Sequence, residues 1–203
     1  AHEKKPKIQA LLGEKAGQQL YRYARGLDDS PVKMKPDEAK GFSLETTFND
    51  DLVSMEQALP ILLEQCDVLA ARMRRKKKKC TCISVTFRTL DFQNRSHQMK
   101  LKNATDITDE IYFHARKLFE ESWRGQPLRL LGVSLTGLTD DSFEQLSFFE
   151  DTREKERRQK LDAALDSIRL KYGNDKVTRA SIMNSTARIG RKAKAQMENE
   201  REQ

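Results

Sequence analysis

The sequence predicts an α+β fold: a β-α-β-β-α-β unit of the ferredoxin-like split βαβ kind, with both helices on one face of an antiparallel sheet and helical extensions at each end. Three observations predict it. Four stretches alternate apolar and polar residues at every second position, and two stretches between them repeat apolar residues at helical spacing. The hydrophobic content of 37% is low for a single core spanning all 203 residues, which leaves a compact unit with polar appendages.

Residues 14–25, EKAGQQLYRYAR, put Leu20, Tyr23 and Ala24 on one side of a short helix, and Gly26 stands where that helix would end. Residues 27–40, LDDSPVKMKPDEAK, carry two prolines, four acids and three lysines without a period and read as a linker. Residues 1–26 would then belong to a separate unit. In residues 41–48, GFSLETTF, Phe42 and Leu44 alternate with Ser43, Glu45 and Thr47, the pattern of a half-buried strand. Residues 54–75 space Met55, Leu59, Leu62, Cys66, Leu69 and Met73 by fours and threes, an amphipathic helix. Pro60 breaks its pattern, so the helix either kinks there or begins near Leu59 with the proline in its first turn. RMRRKKKK, residues 72–79, places seven basic side chains at the negative end of the helix dipole.

The next two strands form a hairpin. CTCISVTFRTL (80–90) turns Ile83, Val85 and Phe87 one way and Cys82, Ser84, Thr86 and Arg88 the other. DFQNRS (91–96) reads as the turn, and HQMKLK (97–102) returns with Met99 and Leu101 on the apolar side. Thr108, Asp109 and Glu110 open a second helix, lined by Ile111, Ala115, Leu118 and Ser122 and reaching Trp123. In LRLLGVSLTGL (128–138), Leu131, Val133 and Leu135 face inward, opposite Gly132, Ser134 and Thr136. The uncovered face of the sheet would show Ser43, Glu45, Ser84, Thr86, Arg88, Gln98, Lys100, Ser134 and Thr136.

That face is hydroxylic, basic and without an aromatic residue. RNA-recognition sheets of similar topology stack bases on aromatic side chains, and this face offers none. Hydroxyls with Arg88 and Lys100 suit phosphate oxygens, and a net charge of +7 favours an anionic partner. The same pattern also describes a solvated sheet face in any domain. Catalytic and metal-ligating sets are not found: Asp28–Asp29, Asp50–Asp51 and Asp140–Asp141 fall in linkers or turns, and His2, His97 and His114 are scattered. Cys66, Cys80 and Cys82 are odd in number and lack zinc spacing, as in a reducing compartment. With no leader and no apolar run near the ~18 residues of a membrane span, a soluble, cytoplasmic protein without membrane contact is expected. The start on AHEKKPK suggests a piece of a longer chain.

One segment fits none of these elements. Residues 139–151, TDDSFEQLSFFED, hold five acids, no base and the run Leu146, Phe148, Phe149 without a helix or strand period. Phosphate would repel it, so it either folds back on the core or fits a pocket elsewhere. Residues 152–203 follow as a charged tail, helical or partly disordered, in which Leu161, Leu165, Ile168 and Tyr172 make a short stripe that packs or awaits a partner.

GLDDSPV (26–32), KGFSLETTF (40–48), ISVTFRTLDFQNRS (83–96), LRLLGVSLTGL (128–138), EQLSFF (144–149) and LDAALDSIRLKYG (161–173) together resemble the C-terminal part of the Y-family DNA polymerases, of the bacterial polymerase IV type. The resemblance implies that residues 41–138 are the little-finger, or polymerase-associated, domain, that residues 1–26 end the thumb, and that residues 27–40 link the two. It implies a grip on duplex or primer–template DNA, for which the candidate residues are Lys40, Gly41, Ser43, Thr86, Arg88, Thr89, Asn94, Arg95, Ser96, Gln98, Ser134 and Thr136. QLSFF resembles a sliding-clamp-binding pentapeptide, with Leu146 and Phe149 filling an apolar cleft on the clamp, Gln145 bonding at its edge, and Ser147 and Phe148 between; leucine is commoner at the Phe148 position. The palm and fingers, whose carboxylates hold Mg²⁺ in such polymerases, have no counterpart here. The expected protein is thus a monomeric, non-catalytic part of an error-prone translesion polymerase, with no cofactor of its own. A stand-alone DNA-binding adaptor that recruits the clamp is the alternative.

Overall fold

A computed structural model describes residues 3–32, 38–140, 152–174 and 176–183. The chain forms two compact units, Ala1–Glu38 and Ala39–Gln203.

The first unit is a helical hairpin of α1 (Lys5–Leu12) and α2 (Glu14–Tyr23) turning at Gly13, whose φ of 83° is a conformation that side chains disfavour. The second helix is the expected one; the first is not visible in the apolar pattern because it buries no residue. The two helices meet through Gly17, where a Cβ would lie 2.6 Å from the Gln9 Cα. Gly26, at φ 69°, ends the α2 segment as expected: its N–H donates to the Tyr23 carbonyl, and the Leu27 N–H to that of Arg22.

In the second unit the order is β1 (Gly41–Leu52), α3 (Met55–Arg75), β2 (Lys78–Thr89), β3 (Asn94–Thr105), α4 (Thr108–Ser122) and β4 (Leu128–Asp140), followed by α5 (Thr152–Tyr172) and a 3-10 turn, Ala180–Ile182. The α+β class and its β-α-β-β-α-β order are as the sequence predicts. The sheet is antiparallel throughout, ordered β1-β4-β2-β3, so β4 splits the β1-α3-β2 unit and β2 splits β3-α4-β4. Helices α3 and α4 cover one face. Leu62, Cys66, Leu69 and Met73 from α3 and Ile111, Ala115 and Phe119 from α4 close on Ile83, Val85, Phe87, Leu131, Val133 and Leu135 of the central strands. Each large side chain so buried contributes about 1.5–3 kcal/mol. Phe119 lies outside the stripe read from the sequence; its ring meets Phe87 edge-on and stacks on Trp123 at 5.3 Å.

Several boundaries differ from expectation for local reasons. Helix α3 starts at Met55 because Ser54 and Gln57 form a capping box, which leaves Pro60 inside the helix, past its first turn. β1 runs on to Leu52, through a register shift after Thr47, and so takes Asp50 and Asp51 into a strand and Phe48 and Leu52 into the core. The hairpin turn is residues 90–93, since Arg88 already pairs with Asn94. Helix α4 does start at Thr108, as expected, with Ile107 before it in the cap position and no side-chain cap bond from that residue.

Helix α5 attaches to the domain by charge. Arg74 donates from Nε to Asp166 at 2.7 Å and from NH1 to Asp162 at 3.2 Å, Arg169 pairs with Asp67 at 2.7 Å, and Arg179 reaches both Asp109 (2.6 Å) and Asp162 (3.0 Å). Ile182 is buried at the end of this clip. The anticipated stripe turns outward: Leu161, Ile168 and Tyr172 are exposed and Leu165 half-buried. None of the helices among the described residues is long and apolar enough to cross a membrane.

Candidate nucleic-acid interface

The face of the sheet away from α3 and α4 is built in rows that cross all four strands, because the register sets residues that face the same way opposite one another: odd-numbered in β1, even-numbered in β4, β2 and β3. Ser43, Ser134, Ser84 and Gln98 form one row; Gly41, Thr136, Cys82 and Lys100 form the next. On the other side lie Glu45, Gly132, Thr86 and Ser96, and then Thr47, Leu130, Arg88 and Asn94. None of these sixteen positions carries an aromatic ring.

Hydrogen bonds tie the rows together. The Ser84 and Ser96 hydroxyls lie 3.1 Å apart, Thr86 donates to Ser96 at 3.2 Å, and Arg88 Nε donates to Asn94 at 2.6 Å. This last bond ties the Arg88 side chain across the hairpin to its β3 neighbour on the open face. The face also needs Gly132: a Cβ there would meet the Glu45 Cγ at 2.5 Å, so the stem of Glu45 lies across the glycine. Glu45 is the one acid among the rows, against Arg88 and Lys100.

Most of the residues chosen from the sequence come together here: Gly41, Ser43, Thr86, Arg88, Asn94, Ser96, Gln98, Ser134 and Thr136 share this face, and Lys40 is exposed just before β1. Two do not. Thr89 is buried and its hydroxyl bonds Asp91 inside the hairpin turn. Arg95 pairs with inward-facing Phe87, so alternation turns it to the helix-bearing side of edge strand β3, where it is exposed. Leu130 lies on this side by register but is buried; its even number, matching Ser134 and Thr136, was the available signal for its side. Gln145, Leu146, Ser147, Phe148 and Phe149 lie outside the described residues.

Among the described residues no group of three or more histidines, cysteines or acids is placed to hold a metal. The two buried aspartates do not fit Mg²⁺, because Asp67 and Asp162 are already taken by Arg169, Arg74 and Arg179.

Residues 39–148 match the model of the impB/mucB/samB family C-terminal domain. The chain belongs to the impB/mucB/samB family. It is similar to the DNA polymerase IV of Clostridium acetobutylicum, 44% identical over 167 residues, which are 82% of this chain and 42% of that protein. The DNA polymerase IV of Alkaliphilus oremlandii is 38% identical over 195 residues (90% and 48% of the two chains) and DNA polymerase IV 2 of Bacillus subtilis 29% over 182 (87% and 43%). The chain thus spans less than half the length of these relatives. The resemblance to the C-terminal part of Y-family polymerases of the polymerase IV type is shown, and the rows of the sheet belong to the domain that the impB/mucB/samB match covers.

Proposed function

We propose that this chain is the DNA-gripping and clamp-binding C-terminal part of an error-prone translesion DNA polymerase, acting as a monomer in the cytoplasm. The observation that carries the reading is the open sheet face itself. Its rows of serine, threonine and glutamine, with Arg88 and Lys100 among them, offer donors to phosphate oxygens along a duplex and no aromatic ring on which a splayed base would stack. Lys40 before β1 and Arg95 on the β3 edge extend the positive charge to strands passing over the sheet's borders.

The chemistry of nucleotidyl transfer, with its Mg²⁺, is assigned to a palm of the parent polymerase and not to any residue of this chain. The clamp contact is assigned to Gln145, Leu146, Ser147, Phe148 and Phe149 on the strength of their motif. The test is equilibrium binding of the chain to two unrelated duplexes across a salt series. The affinities should agree, and log affinity should fall linearly with log salt by ~0.9 per phosphate contacted. Neutralising Arg88 and Lys100 together should flatten that slope by about two contacts. Strong preference for one duplex, or indifference to salt, overturns the reading.

A further inference from the structure

The tip of the β2–β3 hairpin carries two large apolar side chains into solvent: Phe92 is 68% exposed and Leu90 48%. The tip is also held stiff. The Phe92 N–H donates to the Thr89 carbonyl at 3.1 Å, the Thr89 N–H to that of Gln93 at 3.2 Å, and the buried Thr89 hydroxyl to Asp91. Phe92 sits at a φ of 60°, a region that bulky residues avoid. Turn geometry accounts for the positive φ, but not for a large apolar side chain at that position rather than glycine or asparagine.

Resting on the DNA-binding reading above, we infer that Phe92, with Leu90 beside it, is an apolar contact to duplex DNA, pressing on deoxyribose and base surface at the end of the sheet. The surroundings argue for this partner. The hairpin root pairs Arg88 with Asn94 and Phe87 with Arg95, so one cation stands on each side of the sheet directly behind the tip. The one acid of the turn, Asp91, is exposed, and its carboxylate accepts the Thr89 hydroxyl, so two cations behind the tip outnumber it. Cations behind an apolar point fit a polyanion whose sugars and bases are apolar between its phosphates, as where side chains wedge against base steps. The open face supplies the charge-dependent part of binding, and the tip a part that salt does not screen.

The test uses the full chain and a short labelled duplex, comparing Phe92→Gly and Phe92→Tyr with the unaltered protein. Glycine accepts the positive φ, so it removes the ring while relieving the backbone. Phe92→Gly should bind about tenfold more weakly at every salt concentration with the same salt slope, and melt no lower than the parent; Phe92→Tyr should bind within about twofold of it. Affinity within about twofold for Phe92→Gly, while the parent binds with the expected salt dependence, overturns this inference and leaves the sheet reading standing. A lower melting temperature for Phe92→Gly shows that the ring belongs to the fold and overturns it as well. Loss confined to single-stranded DNA contradicts the duplex contact. Failure of the parent to bind duplex at all removes both readings.

Discussion

Asp162 on α5 accepts a hydrogen bond from the backbone N–H of Thr108 at 2.8 Å, so the first turn of α4 is capped by a residue 54 positions further along the chain. Arg74 and Arg179 converge on the same carboxylate, which is almost fully buried. Burial works against the charge on Arg74, but hydrogen bonds to Asp166 and the nearby charges of Asp162, Asp166 and Asp106 outweigh it and raise its pKa.

Asp162→Ala should therefore cost about 3–5 kcal/mol, the range for breaking one side of a buried ion pair, with the lost helix cap contributing about 1 kcal/mol of it. Asp162→Asn keeps an oxygen for the Thr108 N–H and should cost distinctly less. Urea denaturation of both variants decides this; two near-neutral substitutions would mean that α5 does not hold the domain.

Where burial makes the pattern, the sequence was legible. Ile83, Val85 and Phe87 alternate because they alternate against helices, and the α3 stripe repeats because one side of that helix is the core. Residues 94–98 are exposed on both sides of an edge strand, so hydropathy could not say where the hairpin turned or which way Arg95 faced. Helix α5 misled in a different manner. Its attachment runs through Asp162, Asp166 and Arg169, and an apolar stripe is the wrong signal for a helix docked by ion pairs. In the same way α1 escaped notice because its contact is a glycine of the neighbouring helix.

His114 on α4 gives a pH dependence. Burial, first, and then the charge of Lys117 lower its pKa below the ordinary 6.5, opposed by Glu110. As pH falls through that ordinary value, the unfolded chain takes up a proton that the folded one still refuses, so stability drops and levels off below the folded pKa. His114→Gln should remove this component. Melting temperatures of the two proteins should run parallel above about pH 7 and converge or cross toward pH 5, whereas identical profiles would contradict the assignment.

Leu146→Ala and Phe149→Ala should each weaken clamp binding by about 2 kcal/mol or more, as anchors of a small interface do, and leave melting and DNA affinity unchanged. A clamp titration and a melting curve on the double variant separate contact from core: were Phe149 a buried core side chain, its loss would cost about 3–5 kcal/mol of stability. Lost stability with intact clamp binding would contradict the assignment.

The thiols of the protein test the central claim, that the open sheet face is the one that meets DNA. Burial pushes the Cys66 thiol far above its ordinary pKa and that of Cys80 up to about 12, so neither offers thiolate at neutral pH. Cys82 is half-buried on the open face, in one row with Gly41, Thr136 and Lys100. The measurement is the rate of maleimide labelling of the unaltered chain, with and without saturating duplex. One thiol should react, Cys82, and duplex should slow it in proportion to the fraction bound. Labelling of Cys82 at an unchanged rate in a chain fully occupied by DNA would put the duplex on another surface and contradict the account.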